Sequence, residues 1–240
     1  MKVNVSDLNR PFNGRKKWSW LKAILAIIIY LVVRTACETG LILMNLADPF
    51  KASETEILKA MTLNQPLFLA KEIFLLVVML GLVYLFKLDL FNLKQWSWRT
   101  AGKSLAFFAG VYLLEILFAG LVTYFAPDYL GPDNQIAIQE MMGNMNYGVF
   151  FFMVVIAAPI VEEIICRGLI MKHILGKWPW LGALVASVFF VILHGPDNWI
   201  DFMTYFILSA GITLIYLKTR RLEYAIMAHM CQNLIAALLM

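Results

Sequence analysis

Long apolar runs separated by short polar stretches organise this chain. A membrane-spanning helix needs about 20 mostly apolar residues, and seven runs approach that length: 18–44, 66–86, 101–125, 147–170, 180–194, 202–217 and 224–240. The fifth and sixth are short and the seventh ends with the chain, so these three are expected to be tilted or shielded by neighbouring helices. The pattern predicts an all-α polytopic membrane bundle of about seven helices, forming one membrane domain over 1–240. The first run is longer than a signal-peptide apolar region of about 7–15 residues and lacks a small-residue cleavage site, so it reads as a retained helix. Residues 127–146 read as a turn followed by a short amphipathic helix resting on the membrane interface, with substrate gating as the other reading. No internal repeat is visible, which weakens an inverted-repeat transporter architecture.

Composition supports this reading. The 240 residues are 61% hydrophobic and only 15% charged, against about 25% charged in soluble domains. The net charge of +4 is explained by where the basic residues fall, and calls for no nucleic-acid partner. Lys2, Arg10, Arg15, Lys16, Lys17 and Lys22 precede or open the first run. Lys87, Lys94, Arg99 and Lys103 flank the second connection. Arg167, Lys172 and Lys177 close or follow the fourth run, and Lys218, Arg220 and Arg221 follow the sixth. These are 16 of the 20 basic residues, all on one side if seven spans alternate. The positive-inside rule then puts the N-terminus in the cytoplasm and the C-terminus outside, in a multi-pass membrane protein. The three cysteines, Cys37, Cys166 and Cys231, lie in apolar stretches, and an odd count there argues against a disulfide framework.

Against this background the ionisable residues inside the runs stand out, because a charge at the centre of an inserted helix costs about 2.5–3.5 kcal/mol. Glu162 and Glu163 are followed by Arg167. Four residues separate Glu163 from Arg167, so they share a helix face in the favourable order, while Glu162 points about 100° away and is free for proton transfer. Pro159, just before the pair, is expected to kink the helix. His194 ends the fifth run, one turn after Phe190. His229 and Asn233 are four apart in the last run. Read alone, each group has a structural meaning: a packing ion pair, a hydrogen-bonding helix end, an interhelical polar pair. Read together, carboxylate, imidazole and amide are the groups that activate water and hold an oxyanion. Arg34 and Glu38 read as a structural ion pair. Lys71 and Glu72 read as a snorkelling pair near a helix end. Glu115 reads as a bundle-interior hydrogen bonder or part of a substrate path, and His173 as a solvated residue. Cys166 and Cys231 read as packing residues.

The order Glu162-Glu163-x-x-x-Arg167, Phe190-x-x-x-His194, His229-x-x-x-Asn233 resembles the CPBP family of membrane proteases, also called the Abi or CAAX-protease family, whose eukaryotic relative is the type II CAAX prenyl endopeptidase, the Ras-converting enzyme. The resemblance covers 147–240 and makes those helices the catalytic core. The chain stops seven residues after Asn233, where many relatives run on, so the last helix is expected to be less well anchored. The resemblance implies an intramembrane endopeptidase acting on a membrane-associated or lipidated peptide or protein within the bilayer. Glu162 would be the base, assisted by His194. His229 and Asn233 would hold the oxyanion, and Glu163, Arg167 and Phe190 would support the site. Two chemistries stay open: a metalloprotease with Zn²⁺ on Glu162, His194 and His229, or water activated by Glu and His alone. Bacteriocin self-immunity and membrane-protein processing are the roles implied for bacterial members. A non-catalytic immunity or binding protein and a proton-coupled transporter are the alternatives.

The charge asymmetry has a direct check. Reporter fusions at Lys94, Lys177 and Arg220 should read cytoplasmic and fusions at Lys51 and Asn134 external; a cytoplasmic C-terminus would overturn the orientation.

Overall fold

The computed structural model describes residues 6, 9–12, 16–46 and 48–239. Lys2 and Arg15, counted above in the basic N-terminal segment, and Met240, the last residue of the seventh run, lie outside them. Among the described residues, nine helices carry the fold: α1 Ser19–Asn45, α2 Glu54–Thr62, α3 Gln65–Leu85, α4 Trp98–Phe125, α5 Asp133–Asn144, α6 Tyr147–Ile174, α7 Pro179–Leu193, α8 Trp199–Thr219 and α9 Leu222–Leu239. The same residues contain no strand. The protein is an all-α, multi-pass membrane bundle: six of these helices are long and apolar enough to span a membrane, and α7 is a shorter apolar helix.

All seven apolar runs therefore become helices. α7, at 15 residues, is about 22 Å long, short of a hydrocarbon core of about 30 Å. It stops where Gly195 adopts φ 57° ahead of Pro196, and its flanks are covered by α6 and α8. The sixth run is not short. α8 has 21 residues because Asn198 caps its start, accepting from the backbone N–H of Ile200 and Asp201. Helix α2 is absent from the apolar pattern. It announces itself instead by a capping box: Ser53 accepts from Glu56 N–H while the Glu56 carboxylate accepts from Ser53 N–H.

α6 is the structural centre, packing against α1, α3, α7 and α9, while α8 packs against α4, α7 and α9. α6 and α8 are the most buried of the long helices, and α1 and α4 present most of their surface outward. Side chains such as Ile164, Leu169, Met171, Phe190, Ile212 and Ile215 are fully buried between them. α6 is not uniformly α-helical. It runs with i→i+5 hydrogen bonding over Phe152–Ala157, returns to i→i+4 bonding over Ala158–Glu163, and widens again over Ile164–Ile174. Such wide turns are rare and cluster at functional sites. Here they flank the stretch holding Pro159, Glu162 and Glu163.

Several sequence expectations change on packing. Lys71 does not reach water: its side chain is buried, its ammonium lies 2.6 Å from Glu72 and 4.2 Å from the centroid of the Phe68 ring. Neighbouring carboxylate and aromatic face substitute for solvent. His173 is buried rather than solvated, because the last turn of α6 is covered. Arg34 and Glu38 form the expected ion pair at 2.8 Å, and the three cysteines are free. At the end of α9, Ala237 is buried while Leu238 and Leu239 are exposed.

Helix α8 meets α4 through Gly211, where a Cβ would lie 2.5 Å from Val111 Cγ1. Small residues let helix backbones approach closely in membranes. Gly211→Ala should cost about 1–3 kcal/mol by overpacking, read as a lowered unfolding midpoint in detergent. Adding Val111→Ala should recover most of the loss; equal loss with and without it would show that the contact does not set the helix spacing.

Candidate active site

The site begins with a buried ion pair. Arg167 and Glu163 are both fully buried, with Arg167 Nη1 2.8 Å from Glu163 Oε1. The spacing of four residues on α6 brings them together, as expected from sequence. A buried pair needs further hydrogen bonds to offset its desolvation. Arg167 Nη2 donates to the Ser209 carbonyl at 2.7 Å, to Ser209 Oγ at 2.8 Å and to Thr213 Oγ1 at 3.2 Å, all on α8. Thr213 Oγ1 in turn lies 3.1 Å from Ser187 Oγ on α7. The guanidinium also sits 5.4 Å from the centroid of the Phe190 ring, an attractive cation–π arrangement. Ser209 and Thr213, four apart in an apolar run, were a readable signal that sequence reasoning did not use.

Glu163 has a second partner on α9. His229 Nδ1 lies 3.0 Å from Glu163 Oε1. A carboxylate only accepts, so Nδ1 carries the hydrogen and a neutral His229 keeps its lone pair on Nε2. That nitrogen lies 3.7 Å from Glu162 Oε2, beyond direct hydrogen-bond reach. Glu162 Oε2 has no hydrogen-bond partner among the described residues. The two glutamates thus divide as the helical phase predicts: Glu163 is held by Arg167 and His229, and Glu162 faces a cavity.

That cavity, about 610 Å³, is lined by Glu162, His194, His229 and Asn233, so the four residues picked from three separate motifs share one space. His194 donates from Nδ1 to the Phe190 carbonyl at 2.8 Å, which leaves its Nε2 with the lone pair as well. Its ring packs at a tilt against Phe190 and Tyr205, with centroids 4.4 Å away in each case; nothing in the sequence pointed to Tyr205. His229 and Asn233 differ from the expectation of two free donors. His229 is paired with Glu163 and stands beside Glu162, and Asn233 Nδ2 donates to the Val154 carbonyl of α6 at 2.8 Å. Only a bundle that sets α9 against α6 decides this.

Glu115, without a local partner in sequence, accepts from Gln232 Nε2 at 2.7 Å and lines the same cavity. Leu130, Gly131, Asn134, Gln135 and Ile138 line it too, so the 127–146 segment covers one side of the site. The segment is tied down by Tyr129, which donates to Asp201 Oδ1, and by Asn134, which donates to Tyr205 Oη at 3.3 Å. Burial and the Asp201 carboxylate push the Tyr129 hydroxyl above its usual value, so it remains a donor.

Zinc needs three protein ligands at about 2.0–2.3 Å from one point. Among the described residues no three His, Cys, Asp or Glu side chains are grouped to hold a metal ion. Glu162, His194 and His229 as placed do not form a ligand set.

Residues 144–235, which include all three motifs, match the family described as Type II CAAX prenyl endopeptidase Rce1-like. The resemblance read from the motifs is thus shown for α6 to α9. Among curated proteins the chain is similar to the UPF0177 protein YvdC of Lactococcus lactis subsp. lactis (strain IL1403), 26% identical over 162 residues, covering 68% of this chain and 61% of that protein. It is also similar to the UPF0177 protein YajF of the same strain, 33% identical over 104 residues, covering 43% of this chain and 49% of that protein. The matches therefore span between about half and three-fifths of the length of these relatives. No solved structure matches.

The two glutamates separate experimentally by stability. Glu163→Gln leaves the Arg167 charge uncompensated in a dry core and should cost about 3–5 kcal/mol, seen as a large fall in the unfolding midpoint. Glu162→Gln, on the cavity wall, should unfold close to wild type. Equal losses would mean that the two carboxylates share the structural role.

Proposed function

We propose that this chain, Rce1-like over its last four helices, is an intramembrane endopeptidase that hydrolyses a peptide bond in a membrane-embedded or lipidated peptide or protein. The observation that carries the reading is the placement of Glu162 Oε2 3.7 Å from His229 Nε2 on the wall of a cavity within the bundle, with the imidazole oriented by Glu163.

A water held between these two atoms donates one hydrogen to each, which turns its lone pairs toward the cavity. The water oxygen attacks the scissile carbonyl carbon as Glu162 takes its proton. A C–O bond forms and the carbonyl oxygen becomes an oxyanion. The second amide hydrogen of Asn233 is a donor to it, and His194 lines the same cavity. Glu162 then passes its proton to the amide nitrogen, the C–N bond breaks, and the new carboxyl and amine ends leave.

The charge pattern supports an N-terminus in the cytoplasm, and the two Lactococcus relatives support a bacterial plasma membrane. In that setting membrane-protein processing and destruction of a membrane-active bacteriocin are both peptide hydrolysis in the bilayer.

Co-expression with a panel of membrane-anchored and lipidated reporter peptides tests the proposal. Wild type should release fragments, and Glu162→Gln should slow release by about 10²–10⁴, the usual contribution of a general base. Fragment release at the wild-type rate in Glu162→Gln would sink the mechanism. A chelator should leave cleavage unchanged; loss on chelation with recovery on Zn²⁺ would replace the water route with a metal route.

A further inference from the structure

The contact between Asn233 and Val154 has a cause in the backbone of α6. Over Phe152–Ala157 the helix bonds i→i+5, and Ala158 N–H donates to the Met153 carbonyl. The next step of the same ladder would carry the N–H of residue 159 to the Val154 carbonyl. Residue 159 is proline and has no N–H. The ladder ends there, and the Val154 carbonyl loses the backbone donor that the register would have supplied. Inside a membrane span an unmet carbonyl is costly. Asn233 Nδ2, reaching over from α9, donates to it at 2.8 Å.

The position of this bond matters as much as its existence. Asn233 stands one turn beyond His229, and His229 grips Glu163 at 3.0 Å. α9 therefore holds α6 at two points, residue 154 and residue 163. Between them lie Pro159, the change from i→i+5 to i→i+4 bonding, and Glu162. Where that change falls decides the rotational phase of Glu162 relative to His229, because one residue of slip turns a helix by about 100°. We infer that the Asn233 side chain stands in for the N–H that Pro159 lacks, and that by fixing the wide turn it is a positioning residue for Glu162. This goes beyond a direct role at the oxyanion, which would use the other amide hydrogen. It rests on the endopeptidase reading only for the consequence in catalysis.

A double-mutant cycle tests it: wild type, Asn233→Ala, Pro159→Ala and the double variant in detergent, followed by unfolding midpoint and by carbodiimide labelling of Glu162, read by mass spectrometry. Asn233→Ala should lower the midpoint by about 2–4 °C, the scale of one lost hydrogen bond in a chain this long, and should change the rate of Glu162 labelling. In the Pro159→Ala background, where residue 159 regains a backbone N–H to give to Val154, Asn233→Ala should change both far less. Asn233→Leu, which keeps volume and removes the donor, should match Asn233→Ala and so excludes a cavity effect. The same loss in both backgrounds would overturn the inference, as would unchanged Glu162 labelling in Asn233→Ala. These two readouts need no substrate, so a failed endopeptidase reading leaves them decisive. With a cleaved reporter in hand, a purely oxyanion role predicts a loss of about 10²–10³ whatever residue 159 is; positioning predicts recovery in the double variant.

Discussion

Everything at the site hangs on one buried ion pair. Glu163 and Arg167 sit in the driest part of the bundle, where neither charge survives alone. Each therefore recruits partners. Arg167 draws Ser209 and Thr213 from α8, and through Thr213 also Ser187 from α7. Glu163 draws His229 from α9. Four helices are thereby locked in register by electrostatics, in a solvent where apolar side chains gain nothing by leaving lipid for one another. The same pair orients the imidazole, because a carboxylate accepting from Nδ1 leaves Nε2 to face Glu162.

The second constraint is the irregular course of α6. Two wide segments frame a short α-helical stretch that carries Pro159, Glu162 and Glu163. Proline inside a spanning helix frees a carbonyl, and a membrane protein must satisfy that carbonyl from within. The resulting demand for a donor ties the backbone of α6 to the side chains of α9. Structural and chemical requirements thus meet in the same few residues. Around them, the 127–146 segment covers one side of the cavity through Tyr129–Asp201 and Asn134–Tyr205, and Tyr205 packs at a tilt against His194.

The chain's own order of residues determined a good deal. Runs of apolar residues placed all seven apolar helices to within a few residues, six of them long enough to span a membrane, since burial in lipid demands length before it demands partners. The spacing of four between Glu163 and Arg167, Phe190 and His194, and His229 and Asn233 assigned each pair to one helix face, because helical phase is local. The resemblance over 144–235 was legible from the same motifs. What lay beyond the sequence was every contact between helices. That His229 meets both glutamates, that Asn233 donates to Val154, that Glu115 pairs with Gln232 and that Lys71 is buried on Phe68 depend on which helix lies beside which. In a membrane that choice rests on sparse polar bonds and on close approach at residues such as Gly211, and neither leaves a periodic trace along the chain.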